Sequence, residues 1–361
     1  MRILAAPATS LIRDPPRRNL AANALYFMVC KHSGLRYVFP IKMKALILVF
    51  VVLLTSVMLR VNIASAQDTS GGAPDAFRYI APGTLAYHLS TNAVARTNGV
   101  ANVYSATVEI SGIASVGTNL AMVPKLAWST NCWLRGVTGL SATCIGFSNQ
   151  NAGCAMFNGQ GLATMVSPRH YLCATHMHPE GWGMIAFLDT NNVVFWRRTL
   201  QRVDLTGAAA GDTAVGILDA DLPSSVAFLP VLPTNYANFL ATNGATVIQG
   251  IGMNQQMQLF SQPMMLYPTG VAWDHNRTTP FGLTRNWNAA LTAGDSSDPD
   301  LLLIDNQLVL VSHNSSYFGG PSYASRISAI NEQMHFLSTN NTVGSDYQLT
   351  YQSLTNWSPL R

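Results

Sequence analysis

Charge is what this sequence has least of. Lys and Arg number 21 and Asp and Glu 17, so charged residues make up 11% of 361, where about 25% is usual; solubility has to come from Ser, Thr and Asn. Even the formal net charge of +4 misleads. Nine of the basic residues but only Asp14 among the acidic ones precede Gln67, so residues 67–361 carry 12 basic against 16 acidic side chains, a net of −4. A chain that is acidic after its leader gives little support to nucleic-acid binding, and its one basic cluster, "WRRTLQR" at 196–202, reads as the solvated face of a strand. No apolar run is long enough to span a bilayer: "ALILVFVVLLTSVML" covers 45–59, 15 residues, and a spanning helix needs about 20. No Cys-x-x-Cys pair suggests a zinc framework. No glycine loop of the phosphate-cradling kind stands out, so no organic cofactor is expected.

The short apolar run has the layout of a secretory signal. Lys42 and Lys44 flank Met43, the apolar stretch follows, and Ala64-Ser65-Ala66 closes it with small residues at a cleavage site,. Residues 1–42 are therefore read as an upstream segment, with Met43 as the start, and 43–66 as the signal peptide; a single anchoring helix is the other reading. Removal of the signal would leave a secreted protein, extracellular or periplasmic, with no stable membrane span. Of five cysteines, Cys30 lies in the leader, and the remaining Cys132, Cys144, Cys154 and Cys173 are an even number suited to two disulfides in an oxidising compartment. The short loops favour Cys132 with Cys144 and Cys154 with Cys173.

Residues 67–131, rich in Ala, Thr, Ser, Asn and Gly, are expected to form an N-terminal extension with some strands. Downstream, short β-type runs recur between turn signals: "LATMV", "YLCA", "MIAFL", "NVVFW", "TAVGIL", then "ATVIQGIG", "MQLF", "DLLLI" and "QLVLVS". Closely spaced strands without helical periods predict an all-β sandwich or barrel. The exception is "ISAINEQMHFL" at 327–337, which places Ile327, Ile330, Met334 and Leu337 at helical spacing,. "LPVLPTN" at 229–235 is the expected connection between two halves.

The chemistry-bearing stretch is "LTAGDSSDPDLL" at 291–302. A serine is a weak nucleophile unless a base lies in hydrogen-bond reach and a third group orients that base. Among the eight histidines, His176 follows the strand "YLCA", at a strand end where a base would face a cleft. Asp212 opens the strand "TAVGIL" from a Gly-Asp turn. A metal site is the enzymatic rival: "HMHPE" spaces His176, His178 and Glu180 along an extended segment,, with Asp274 and His275 as further ligands.

Three segments in order over residues 161–314 resemble the trypsin-like, chymotrypsin-fold serine peptidases. "GLATMVSPRHYLCATH" is similar to the strands that end in the family's base, "GDTAVGILDADLPSSVAFLPVLP" to the orienting Asp entering a buried strand, and "AGDSSDPDLLLIDNQLVLVSHNS" to the nucleophile loop and its following hairpin. The resemblance implies an all-β fold of two six-stranded antiparallel barrels. The peptidase domain would span 132–361, with barrels at about 132–230 and 235–325 and a terminal helix at 327–337. It also implies hydrolysis of peptide bonds through an acyl-enzyme, with Ser296 as nucleophile, His176 as base and Asp212 as its orienter, and Gly294 and Ser296 N–H as the oxyanion hole. Ser312, His313 and Asn314 would pair by backbone with an extended protein or peptide substrate, and Ala290 would floor the primary pocket. With no acidic residue there, a small or apolar side chain is expected rather than Lys or Arg.

Two departures stand out. Where the family has two glycines after the nucleophile, this chain has Ser297 and Asp298. Ser297 is thereby an alternative nucleophile, and an Asp298 carboxylate would favour the imidazolium of His176 and move the pH optimum to alkaline values. The Asp before the nucleophile, Asp295, has no evident activation junction to pair with, since "LRGVTG" at 134–139 is only a faint echo, so it is expected to find another partner. These departures also keep open a non-catalytic binding protein on the same fold.

Overall fold

The computed structural model describes residues 82–360 apart from 108–112, 117–118, 123–124, 149–161, 180–182, 208–210, 241–245, 274–286, 288–290, 293 and 317–318. The proposed signal peptide and Cys154 lie outside the described residues. All of the described chain falls in one unit, Pro74–Arg361.

The chain is built mainly of strands. In order these are β1 (Ala101–Asn102), β2 (Tyr104–Thr107), β3 (Ile113–Val116), β4 (Asn119–Met122), β5 (Lys125–Trp128), β6 (Gly146–Ser148), β7 (Thr164–Met165), β8 (His170–Ala174), β9 (Met184–Leu188), β10 (Val194–Asp204), β11 (Thr213–Leu218), β12 (Thr246–Met253), β13 (Gln258–Leu266), β14 (Val271–Trp273), β15 (Pro299–Ile304) and β16 (Gln307–His313). Two helices flank them, α1 (Leu85–Arg96) and α2 (Ile327–Asn340).

Two six-stranded antiparallel sheets form, as the resemblance implies; the spacing of the short runs by itself predicts only an all-β sandwich or barrel. The first has the order β6-β9-β10-β11-β8-β7. It closes on itself: the bridge Thr143–Thr164 and the bond from Cys144 N–H to Ala163 C=O, 2.9 Å, join the chain before β6 to β7. The second has the order β1-β13-β12-β15-β16, with β14 on β13. Here the segment after β16 returns to pair with the chain around β14, through Val271 N–H to Gly320 C=O at 2.9 Å and Ser322 N–H to Thr269 C=O at 3.1 Å. Closure leaves few unpaired strand edges, the usual liability of β proteins. The arrangement is the two-barrel, chymotrypsin-like one.

The sequence patterns explain which strands sit deepest. "HYLCA", "TAVGIL", "TVIQGIGM" and "PDLLLI" are buried along their whole length, since one face fills a barrel and the other packs against the rest of the molecule. Each large aliphatic side chain so placed contributes roughly 1.5–3 kcal/mol. β10, by contrast, keeps most of its residues partly exposed, as the reading of "WRRTLQR" as a solvated face requires. The connection at 229–235 packs tightly: Val231 pairs with both Leu310 and Tyr351, and Leu229, Val231 and Leu232 are buried. α2 covers the first sheet with the expected residues Ile327, Ile330, Met334 and Leu337, all buried.

α1 was not expected. It starts at Thr84, whose hydroxyl accepts the Tyr87 N–H at 3.2 Å, a standard N-cap, and buries Leu85, Leu89 and Ala93, one face at four-residue spacing. It packs on β12 and β15, while β1 pairs with β13. Residues before 132 thus contribute directly to the second sheet. The disulfide expectation fails: Cys132, Cys144 and Cys173 are free thiols, each buried among apolar residues of one core. They serve as small hydrophobic packing, which free Cys does well.

Candidate functional site

The site lies where the ends of β8 and β11 in the first barrel meet the loop before β15 in the second. β8 is buried through Ala174, and the chain then turns into solvent, so the imidazole of His176 is half exposed. Asp212 precedes β11 in a left-handed conformation, φ 57°, a region that Asp tolerates better than most residues. Because β8 and β11 are paired, with Ala174 opposite Thr213, that turn delivers its carboxylate beside His176.

The three side chains singled out from sequence come together. His176 Nε2 lies 2.7 Å from Ser296 Oγ, and His176 Nδ1 lies 2.7 Å from Asp212 Oδ2. The second carboxylate oxygen holds the turn itself. Asp212 Oδ1 accepts the Thr175 N–H at 3.1 Å, the His176 N–H at 3.3 Å and the Thr175 hydroxyl. Burial works against the Asp212 anion, yet the hydrogen bonds from Thr175 and His176 hold its carboxyl below the ordinary range,. An ionised Asp212 accepts from Nδ1–H, which leaves the lone pair of Nε2 facing the Ser296 hydroxyl. That is the tautomer a general base needs.

A second imidazole backs the first. His313 is buried, its Nε2 2.9 Å from the Asp212 carbonyl and its Nδ1 bonded to the Tyr323 hydroxyl. A carbonyl only accepts, so Nε2 carries the proton and Nδ1 accepts from Tyr323. Burial pushes the His313 imidazole down to about 4, so it stays neutral and donates without adding charge. Sequence reasoning assigned His313 only a backbone role; its side chain was missed, as was Thr175.

The nucleophile loop is shaped by Gly294, Asp295 and Ser297. Gly294 has φ 107°, a conformation that side-chain-bearing residues rarely adopt, so glycine is the relaxed choice there; a Cβ would also displace the Gln255 amide. Among the described residues no acceptor takes the N–H of Gly294 or of Ser296. Asp295 does have another partner: Oδ1 accepts the Gln255 N–H at 2.9 Å and Oδ2 the Thr292 N–H. The left-handed position falls on Ser297, φ 72°, not on Asp298, at a cost of about 1–2 kcal/mol. The Ser297 side chain is buried and bonded to Ala174 N–H and Met177 C=O. It is the hydroxyl of Ser296, not that of Ser297, that faces the imidazole.

Asp298 is fully buried, and neither carboxyl oxygen accepts an N–H or O–H from the described residues; a hydrogen bond with the Asp295 carboxyl requires the acid form. Burial first, then the neighbouring Asp295 and Asp300, pushes its carboxyl well above the ordinary range. The neutral form is thereby favoured, which works against the charge expected to shift the pH optimum. Asp300 is raised to about 7 by burial, with hydrogen bonds from Trp273 and Ser312 working the other way.

The remaining assignments divide. Asn314 lines the pocket of about 380 Å³ beside Ser296, with Met177 and Leu291. Its backbone is spent inside the loop, however: N–H donates to Asp298 C=O at 2.9 Å and C=O accepts Ser297 N–H at 2.9 Å. It is therefore not available to pair with an added strand. Ser312 is buried and paired opposite Asp300 within the sheet. Ala290, Glu180, Asp274 and His275 lie outside the described residues. His178 Nδ1 contacts the Pro179 carbonyl at 3.2 Å, and among the described residues no His, Cys, Asp or Glu group is placed to hold a metal. With both nitrogens of His176 engaged, the metal reading loses its central ligand.

No protein-family model matches the chain, and no curated protein is similar to it. Among solved structures, human heparin binding protein is similar at 14% identity and a TM-score of 0.36, over 53% of this chain and 89% of that one. A mutant of that human protein is similar at 12% identity and a TM-score of 0.38, over 56% of this chain and 92% of its own.

Proposed function

We propose that the protein is a serine endopeptidase that hydrolyses peptide bonds through an acyl-enzyme. The observation that carries this reading is the continuous relay from Ser296 Oγ through His176 to Asp212, with 2.7 Å at each step. Ser296 Oγ attacks the scissile carbonyl carbon while its proton passes to His176 Nε2. The C–N bond then breaks as that proton moves to the leaving amine, and water, activated by the same imidazole, hydrolyses the ester. Asp212 orients the ring and stabilises the imidazolium without taking its proton. The Gly294 and Ser296 N–H groups are the candidate oxyanion donors, each worth about 100- to 1,000-fold in kcat at comparable sites.

The substrate is a protein or peptide whose residue before the scissile bond is small or apolar, because Met177 and Leu291 line the adjoining pocket and, among the described residues that line it, the one carboxylate, Asp295, is held by the Gln255 and Thr292 N–H groups. No metal or organic cofactor is required by this chemistry. Export to an extracellular or periplasmic compartment is proposed on the signal-like segment 43–66 alone, since the free thiols lend it no support. The test is a pre-steady-state assay with an activated ester. A burst of about one product per enzyme, with an acyl adduct on Ser296 by mass spectrometry, is expected. Turnover without a burst, or an adduct on Ser297, would count against the assignment.

A further inference from the structure

The turn that carries His176 and the loop that carries Ser296 belong to different barrels, so something must set the gap between them. The Asp212 carboxylate does not, because β11 and β8 are in the same sheet and its bonds hold the base within the first barrel; the His313 Nε2–H bond to the Asp212 carbonyl does cross between barrels, but it joins the turn before β11 to β16 and not to the nucleophile loop. A link between the base turn and the nucleophile loop is made by the residue after the nucleophile. Ser297 Oγ accepts the Ala174 N–H at 2.7 Å and donates to the Met177 C=O. Those two groups bracket Thr175 and His176, so one hydroxyl grips both ends of the base-bearing turn. Its own N–H is fixed to Asn314 C=O at 2.9 Å, which anchors the grip to the end of β16. The side chain is 1% exposed and stands at a left-handed φ of 72°, where glycine would be the relaxed choice. A serine held there against backbone preference is explained by the two bonds its hydroxyl makes.

We propose that Ser297 is a positioning residue that fixes the His176–Ser296 separation by fastening the base turn to the nucleophile loop. The claim rests on the peptidase reading and deepens it. Small misplacements of reacting groups are costly, about 100-fold for roughly 1 Å, so the expected signature lies in kcat and not in binding.

Two variants separate positioning from simple stability. Ser297→Gly removes the hydroxyl and relaxes the backbone; Ser297→Ala removes the hydroxyl and keeps the strain. Both should lose about 10- to 100-fold in kcat with KM nearly unchanged, although Ser297→Gly melts at or above Ser297→Ala. A Ser297→Gly enzyme with native kcat, or losses that follow the melting temperatures, would overturn the proposal. A readout independent of turnover is the His176 Nδ1–H proton resonance, sharp in the native protein and exchange-broadened in Ser297→Gly. If the native protein turned over no ester, the peptidase reading would fall by itself; an unchanged resonance in Ser297→Gly would sink the positioning claim separately.

Discussion

The two sides of the site satisfy their buried polar groups in opposite ways. On the base side, the Asp212 carboxylate takes hydrogen bonds on both oxygens from Thr175 and His176 and is held ionised. On the nucleophile side, neither Asp298 oxygen accepts an N–H or O–H and burial favours its acid form, while one Asp300 oxygen accepts from Trp273 and the other has no partner among the described residues. The base side holds its carboxylate by direct hydrogen bonds; the nucleophile side does so only at Asp295, while Asp298 and Asp300 are pushed toward their acid forms. The difference makes the buried acids beside the nucleophile loop a pH-sensitive part of the second barrel.

The largest expected effects fall on the relay itself. Ser296→Ala or His176→Ala should reduce kcat by 10,000-fold or more, and Asp212→Asn by about 10,000-fold through the wrong imidazole tautomer, measured by ester or peptide turnover. A loss in Asp212→Asn under about 10-fold would show that the base side is not held as described.

The next effects concern pH. The carboxyls of Asp298 and Asp300 are raised in the fold, so their stabilising contribution is complete below the ordinary carboxylate range and is lost as pH rises, by about pH 7 for Asp300,. Asp298→Asn should therefore raise the melting temperature at pH 8 and change little below pH 4,. Thermal melts across that range decide it; a drop in stability at pH 8 would mean that the Asp298 anion has an unseen partner.

A smaller loss, about 1 kcal/mol or some 5-fold in kcat, is expected for His313→Leu, since the Asp212 carbonyl keeps the Thr175 N–H at 3.1 Å. His313→Gln, which retains a donor, should lose less. The smallest effect is on reduction. With Cys132, Cys144 and Cys173 unpaired, dithiothreitol should leave the melting temperature unchanged, and a drop of several degrees would contradict the free thiols.

What was legible in the sequence follows from how local each signal is. The strand runs and the face of α2 are carried by consecutive residues, so their periodicity shows them directly. The relay was found because each of its members sits at a strand end, a local feature, and because their order matched a known pattern. The helix α1 was missed although Leu85, Leu89 and Ala93 recur at helical spacing, because the surrounding Thr, Ser and Asn read as loop. The roles of Ser297 and His313 were out of reach for a different reason. Each depends on partners over a hundred positions away, Ala174 for one and Asp212 for the other, and no spacing rule encodes such a meeting. Asp298 was legible as a departure but not as a neutral acid, because its protonation state is set by burial.

Labelling with a fluorophosphonate probe, followed by intact-mass and peptide analysis, tests the central claim most directly. The native protein should gain one adduct, on Ser296, at a rate that falls steeply in His176→Ala and vanishes in Ser296→Ala. A folded native protein that stays unlabelled, or one labelled equally fast without His176, would contradict the relay.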